Sequence, residues 1–160
     1  MPEPIAPDAL AKIIDAFVVL AQGHQQLADE PFFADRSPED AVAPEEMPAW
    51  VVFAEAWDFE PAMEQGQTRH QALINFERLE TSASVGVISR ANRAAIAHLV
   101  AAIHSDRTLG GRLEDTQELN VAPPLENGRS VGGASLQVAV TFYTPRGHHF
   151  TIVNDRDQTF

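Results

Sequence analysis

A chain of 160 residues has room for one domain that buries about 70% of its unfolded surface without staples. The absence of cysteine removes thiol chemistry, Cys-ligated zinc and disulfide frameworks, and it suits synthesis in the cytosol. Charge excludes more: 11 basic residues against 23 acidic ones leave a net charge of −12, with Lys12 the one lysine, so the surface repels phosphate and disfavours nucleic-acid or anionic-membrane binding by counterion release. An acidic surface of this kind serves as a DNA mimic, as a wall past which DNA slides, or simply as a means of solubility.

Met1-Pro2-Glu3-Pro4 lacks the basic residues that open a signal peptide, and the apolar run at 13–21 is short and interrupted by Asp15, so a soluble chain is expected. Pro7 and Asp8 suit a first helical turn, and Leu10, Ile13, Ile14, Phe17 and Leu20 then recur at helical spacing until Gly23 offers a stop. Residues 25–48 lose periodicity and collect acids and prolines, which predicts a long acidic loop with Phe32 and Phe33 pinning it to the body or to a neighbour.

Residues 49–59 read as a central strand, with Trp50, Val52, Ala54 and Ala56 on one face and Val51, Phe53 and Trp57 on the other. Pro61 and Gly66 supply turn chemistry, and residues 70–79 form a second strand with Ala72, Ile74 and Phe76 opposite Asn75 and Glu77. Ser89 is the expected N-cap of a second helix whose buried stripe is Ile96, Leu99, Val100 and Ile103. Past Asp106 that helix should stop, because Gly110 and Gly111 reach positive φ cheaply and Leu109 folds back over the last turn. The order helix then glycines is the reverse of a phosphate-binding loop, so the pair reads as a helix stop.

A weaker strand alternates Leu113, Asp115, Gln117, Leu119 and Val121 against polar neighbours, and residues 122–133, rich in Pro and Gly, suggest a flexible arm. The final strand has the cleanest pattern, with Ala134, Leu136, Val138, Val140 and Phe142 alternating with Ser135, Gln137, Ala139, Thr141 and Tyr143. Residues 146–160 read as a surface tail that orders against something else. The expected fold is one α+β domain in the order helix-strand-strand-helix-strand-strand, two helices packed on one face of an antiparallel or mixed four-stranded sheet.

Chemistry is sparse. No His or carboxylate pair has metal-ligand spacing, and the adjacent His148 and His149 would point apart on a strand. No serine sits in a nucleophile elbow, and Glu114 and Asp115 face opposite ways on a strand, so the chain is not expected to be an enzyme, to hold a metal or to need a cofactor.

The run Ile103-His104-Ser105-Asp106-Arg107-Thr108-Leu109-Gly110-Gly111, then Leu113-Glu114-Asp115, a Pro/Gly-rich excursion and the closing strand Val140-Thr141-Phe142-Tyr143-Thr144 resembles the tail terminator and minor tail proteins of long-tailed bacteriophages. The likeness covers about the second half of the chain, and the long acidic loop departs from the family's compact pattern. It implies a structural virion protein at the tail–neck junction, forming a homo-hexameric ring that caps the tail tube and joins it to a neck or head-completion protein, while DNA passes through the lumen without specific binding. A ring needs a heterologous interface. Its candidate residues are Phe32 and Phe33 in the loop, Pro123, Pro124 and Arg129 in the arm, Gln137, Thr141 and Tyr143 on the outer strand face, and His148 and His149 in the tail. Three other readings stand beside it: another neck or tail-completion protein, an acidic DNA-mimic inhibitor, and a small hydrolase using His148 or His149 with Glu114 or Asp115.

Overall fold

The strict alternation in the closing strand is the pattern of a sheet covered on one side, and it organises the molecule. The computed structural model describes residues 6–34, 43–64, 66–81, 85–126 and 131–153. Along these, α1 (Ala9–Gln22), β1 (Phe32–Ala34), a 3₁₀ turn (Pro44–Glu46), β2 (Ala49–Pro61), β3 (Gln67–Thr81), α2 (Val85–Ser105), β4 (Asp115–Glu126) and β5 (Val131–Pro145) follow in order. The strands form one sheet in the order β1-β2-β3-β5-β4. Every neighbouring pair is antiparallel except β1 with β2, which is parallel. Both helices pack on one face, where Ile13, Ile14 and Phe17 of α1 and Ile96, Leu99 and Ile103 of α2 join Trp50, Val52, Ile74, Phe76, Val138 and Val140 in one core. Each large apolar side chain enclosed there contributes about 1.5–3 kcal/mol.

The α+β class and the helix-covered sheet agree with the sequence pattern, but the sheet has five strands rather than four. The extra strand, β1, lies inside the expected acidic loop and pairs Phe32 with Trp50 and Ala34 with Val52. Three residues are too few to show a period of two, so nothing in the sequence distinguished them from a loop. Their rings go to opposite faces: Phe32 stacks on Trp50 at 5.3 Å, whereas Phe33 packs beside Ala49 and Val51 on the far side with Met47 and Phe53.

α1 is capped as expected, with the Asp8 carboxylate accepting the Ala11 amide at 2.9 Å. α2 begins at Val85, one turn before Ser89, which therefore lies inside the helix and is not its cap. The helix stop is as read: Leu109, Gly110 and Gly111 all take positive φ, at 48°, 72° and 94°. Leu109 is buried.

Three further expectations change. A β-bulge between Ala54 and Ala56 shifts the phase of β2, so Trp57 registers with Ala72 on the helix side and Ala56 with Leu73 on the other, the reverse of unbroken alternation. In β4 the core-facing residue is Thr116, while Asp115 pairs with Thr141 and Gln117 with Ala139 on the outer face; Leu119 falls in an irregularity and is exposed, and Leu113 enters the core before the strand begins. The expected arm at 122–133 is largely strand, because β4 and β5 stay paired out to Glu126 and Gly132. Its remaining residues, 127–130, lie outside the described residues.

Candidate interaction surface

Strand and helix lengths determine what the helices leave bare. β3 and β5 each have 15 residues, about 50 Å at 3.3 Å per residue, whereas the 14 residues of α1 and 21 of α2 reach about 21 and 32 Å. At the end carrying the β2–β3 hairpin Gly66 turns the chain at φ 83°.

Residues 146–153, part of the expected surface tail, bond to this end of the sheet and to the start of α1. Gly147, at φ 78°, reverses the chain. Arg146 donates its amide to the Gly66 carbonyl at 2.7 Å, Val153 donates to Tyr143 at 2.8 Å, and the His149 carbonyl accepts the first free amide of α1, that of Ala9, at 2.8 Å. Ile152 is buried in the core. The tail reading thus fails as far as residue 153, because helix α1 and strand β5 both need partners there; residues 154–160 lie outside the described residues.

Beneath that segment an aromatic cluster surrounds His70. His70 is 1% exposed, stacks on Phe142 at 4.6 Å and lies parallel to Trp57, edge to edge, at 5.9 Å, with His149 edge-on at 4.7 Å. Trp57 Nε1 donates to His70 Nδ1 at 3.0 Å, and an indole nitrogen only donates, so Nδ1 is unprotonated and Nε2 carries the proton toward Thr144 Oγ1 at 2.8 Å. Burial, reinforced by His149 and opposed by Asp8, lowers the His70 pKa from 6.5 to about 4. The outer members of the cluster reach water: Trp57 is 43% exposed and Phe59, at 5.3 Å from it, 53%.

The strand carrying these aromatics lies second from one end of the sheet. β1 covers β2 only as far as Val52, and beyond that point β2 has β3 on one side and no strand on the other among the described residues. Register with β3 places Trp57 and Phe59 on the helix side, and Asp58 and Glu60 on the outer side opposite Gln71 and Arg69. The other edge, β4, is blunted. Arg107 bonds the Thr116 carbonyl at 3.0 Å and pairs with Asp115, while two register irregularities and Pro123-Pro124 break its ladder.

The outer sheet face is polar and acidic. An open trough of about 650 Å³ is lined by Asp58, Arg69, Gln71, Asp115, Gln117 and Thr141. Gln137 donates to Glu55, Tyr143 to Glu114 at 3.1 Å, and burial raises the pKa of both Glu77 and Tyr143. At the other end, one charge is buried among carboxylates. Arg78 lies 5% exposed on the helix side, with Nε on Glu30 and Nη1 on Glu80, both at 2.7 Å, and Nη1 on Asn92 Oδ1 at 2.8 Å. Glu30 also accepts from Trp50 Nε1 at 2.9 Å. This network ties the turn after α1 to β2, β3 and α2.

Of the residues singled out from sequence, Gln137, Thr141 and Tyr143 lie together on the outer face, half-buried. Phe32 and Phe33 are in β1, packed within the chain, and Pro123 and Pro124 are in β4. Arg129 lies outside the described residues. His149 joins the His70 cluster on the helix side, His148 is exposed with Phe150 at 5.8 Å, and Glu114 is on the far face beside Tyr143, so the structure does not bring the hydrolase pair together. Among the described residues no group of three or more His, Asp or Glu side chains is placed to hold a metal, and no helix is long and apolar enough to cross a membrane. Sequence reading missed Trp57, Phe59, His70 and Arg78. For His70 and Arg78 a signal existed, since both continue the phase of Ala72, Ile74 and Phe76.

No family model and no curated protein matches the sequence. Among solved structures, a chain from the virion of a native gene transfer agent particle matches with a TM-score of 0.52 over 83% of this chain and 96% of that chain, at 14% identity. At that identity the likeness is one of fold.

Proposed function

We propose that the chain is a structural virion protein of the tail terminator type, a homo-hexameric ring subunit that caps a tail tube and meets a neck or head-completion protein. The observation that carries this reading is the fold shared with a chain of a gene transfer agent virion over 96% of that chain. The residue pattern from Ile103 to Gly111 and from Val140 to Thr144 supports the narrower assignment. The role is mechanical and includes no catalysis, metal or cofactor. In it the outer sheet face, with Glu55, Asp58, Glu60, Glu77 and Asp115 against Arg69, lines the lumen, where like charge lets DNA slide without being held. A neck or completion protein is the second reading, with the same fold as its support.

Electron microscopy of particles made without the protein tests this. Overlong tails are the expected result. Tails of normal length detached from heads would move the assignment to the neck, and intact infectious particles would refute both readings. Tight binding of duplex DNA at physiological salt would refute the lumen assignment.

A further inference from the structure

We propose that residues 146–153 form an acid-released strap: when the medium acidifies, the His70 imidazole takes a proton and the segment lets go of α1 and the sheet while the rest of the fold stays closed. Three observations converge on it. The strap completes the enclosure of His70: Phe142, Trp57 and Phe59 surround the ring from the sheet, and His149 of the strap closes on it edge-on at 4.7 Å. The strap is also lightly held. Arg146 and Val153 donate their amides to Gly66 and Tyr143, the His149 carbonyl accepts the Ala9 amide, and Lys12 Nζ donates to the Phe150 carbonyl at 2.6 Å. Ile152 is its one buried residue. A segment so attached opens at a smaller cost than β3, which is laddered on both sides by β2 and β5.

The third observation is that the closed site has no place for the added proton. Nδ1 of His70 accepts from Trp57 Nε1, so a proton there would face another donor, and Nε2 already directs its proton at Thr144 Oγ1. The elements packed around the ring carry Asp8 and Lys12 on α1 and Arg146, His148 and His149 on the strap, whereas Asp58, Glu60, Arg69 and Tyr143 of the neighbouring strands stand on the outer face. Of these groups His149 opposes a charge on His70 and Asp8 favours it. His149 is moreover docked on the first turn of α1, the positive end of the helix, where a second imidazolium is disfavoured. Opening the strap puts water where the His149 ring was, and it frees the Ala9 amide and the Tyr143 carbonyl for other partners. His70 holds a proton below about 4 in the closed form and near 6.5 once solvated, so the open population rises about 30-fold between about pH 7.5 and pH 5. The strap works in this way whether or not the protein closes into a ring.

The test is amide hydrogen exchange on the full chain at these two pH values and in sub-denaturing urea, each rate divided by the intrinsic rate at that pH. At pH 5 most carboxylates remain ionised. The amides of Ala9, Arg146 and Val153 should be less protected than those of β3, depend little on urea, and lose about 30-fold of their protection at pH 5. In His70→Gln, whose side chain can still accept from Trp57 and donate to Thr144, that loss should shrink to under about threefold. Exchange of the strap amides with the protection and urea slope of β3 would mean that no separate strap exists and would overturn the proposal. So would unchanged protection at pH 5, or a response undiminished in His70→Gln, which would make another group the trigger. A second readout leaves His70 in place. The chain has no cysteine, so Ile152→Cys carries one thiol, and its labelling relative to the unfolded chain at the same pH should rise by the same factor. Constant relative labelling would overturn the proposal as well. None of these results depends on tail length, so the virion reading stands or falls separately.

Discussion

His70 makes stability depend on pH in a window set by its own surroundings. In the unfolded chain its imidazole takes a proton near pH 6.5, whereas in the fold, enclosed by Phe142, Trp57 and His149, it does so only at about 4. Between these values the unfolded state holds the extra proton, so stability falls as pH drops from about 6.5 to about 4 and is level below that. At 1.36 kcal/mol per pH unit the loss comes to about 3 kcal/mol. Protonation at Nδ1 also breaks the bond from Trp57 Nε1, since both groups would then be donors. Urea unfolding of the wild type and His70→Gln across this range isolates the effect, because carboxylate titrations are common to both. The gap between the two proteins should narrow by about 3 kcal/mol from neutral to acid pH. A constant gap, or an imidazole titrating by NMR near 6.5, would falsify the desolvation argument.

Arg78→Met leaves Glu30 and Glu80 facing each other without their cation and should cost about 3–5 kcal/mol by urea unfolding. Adding Glu30→Gln and Glu80→Gln should recover most of that, and failure to do so would mean that packing, not charge, is what the arginine supplies. Val138→Asp puts a carboxylate on the fully buried strand face and should cost several kcal/mol, whereas Gln137→Asp, on the outer face, should cost at most about 1 kcal/mol, most of it repulsion from Glu55. Equal tolerance of the two would overturn the assigned register. Gly110→Ala has open space for its methyl group but a φ of 72°, so a loss of about 1 kcal/mol should arise from backbone strain alone, measured as a fall in thermal midpoint.

Whatever depended on local periodicity was legible in the residues. Phe142 through Ala134 announced a strand covered on one side; Leu10 to Phe17 and Ile96 to Ile103 announced helices with one buried stripe; Leu109-Gly110-Gly111 announced a helix stop. Each of these follows from the fixed pitch of helix and strand, so the pattern carries its own geometry. The net charge of −12 likewise needed no fold to disfavour phosphate binding.

Tertiary structure decided what periodicity cannot encode. A bulge adds one residue to β2 without altering its composition, and only the pairing with β3 shows that Trp57 changes face. The three residues of β1 form a strand because Trp50, Val51 and Val52 lie alongside them. Arg78 and His70 occupy core phase because distant side chains satisfy them: Glu30, 48 residues away, and Thr144, 74 residues away. The aromatic cluster around His70 exists for the same reason. Its members come from β2, β3, β5 and the segment after β5, a relation between elements that the order of residues alone does not contain.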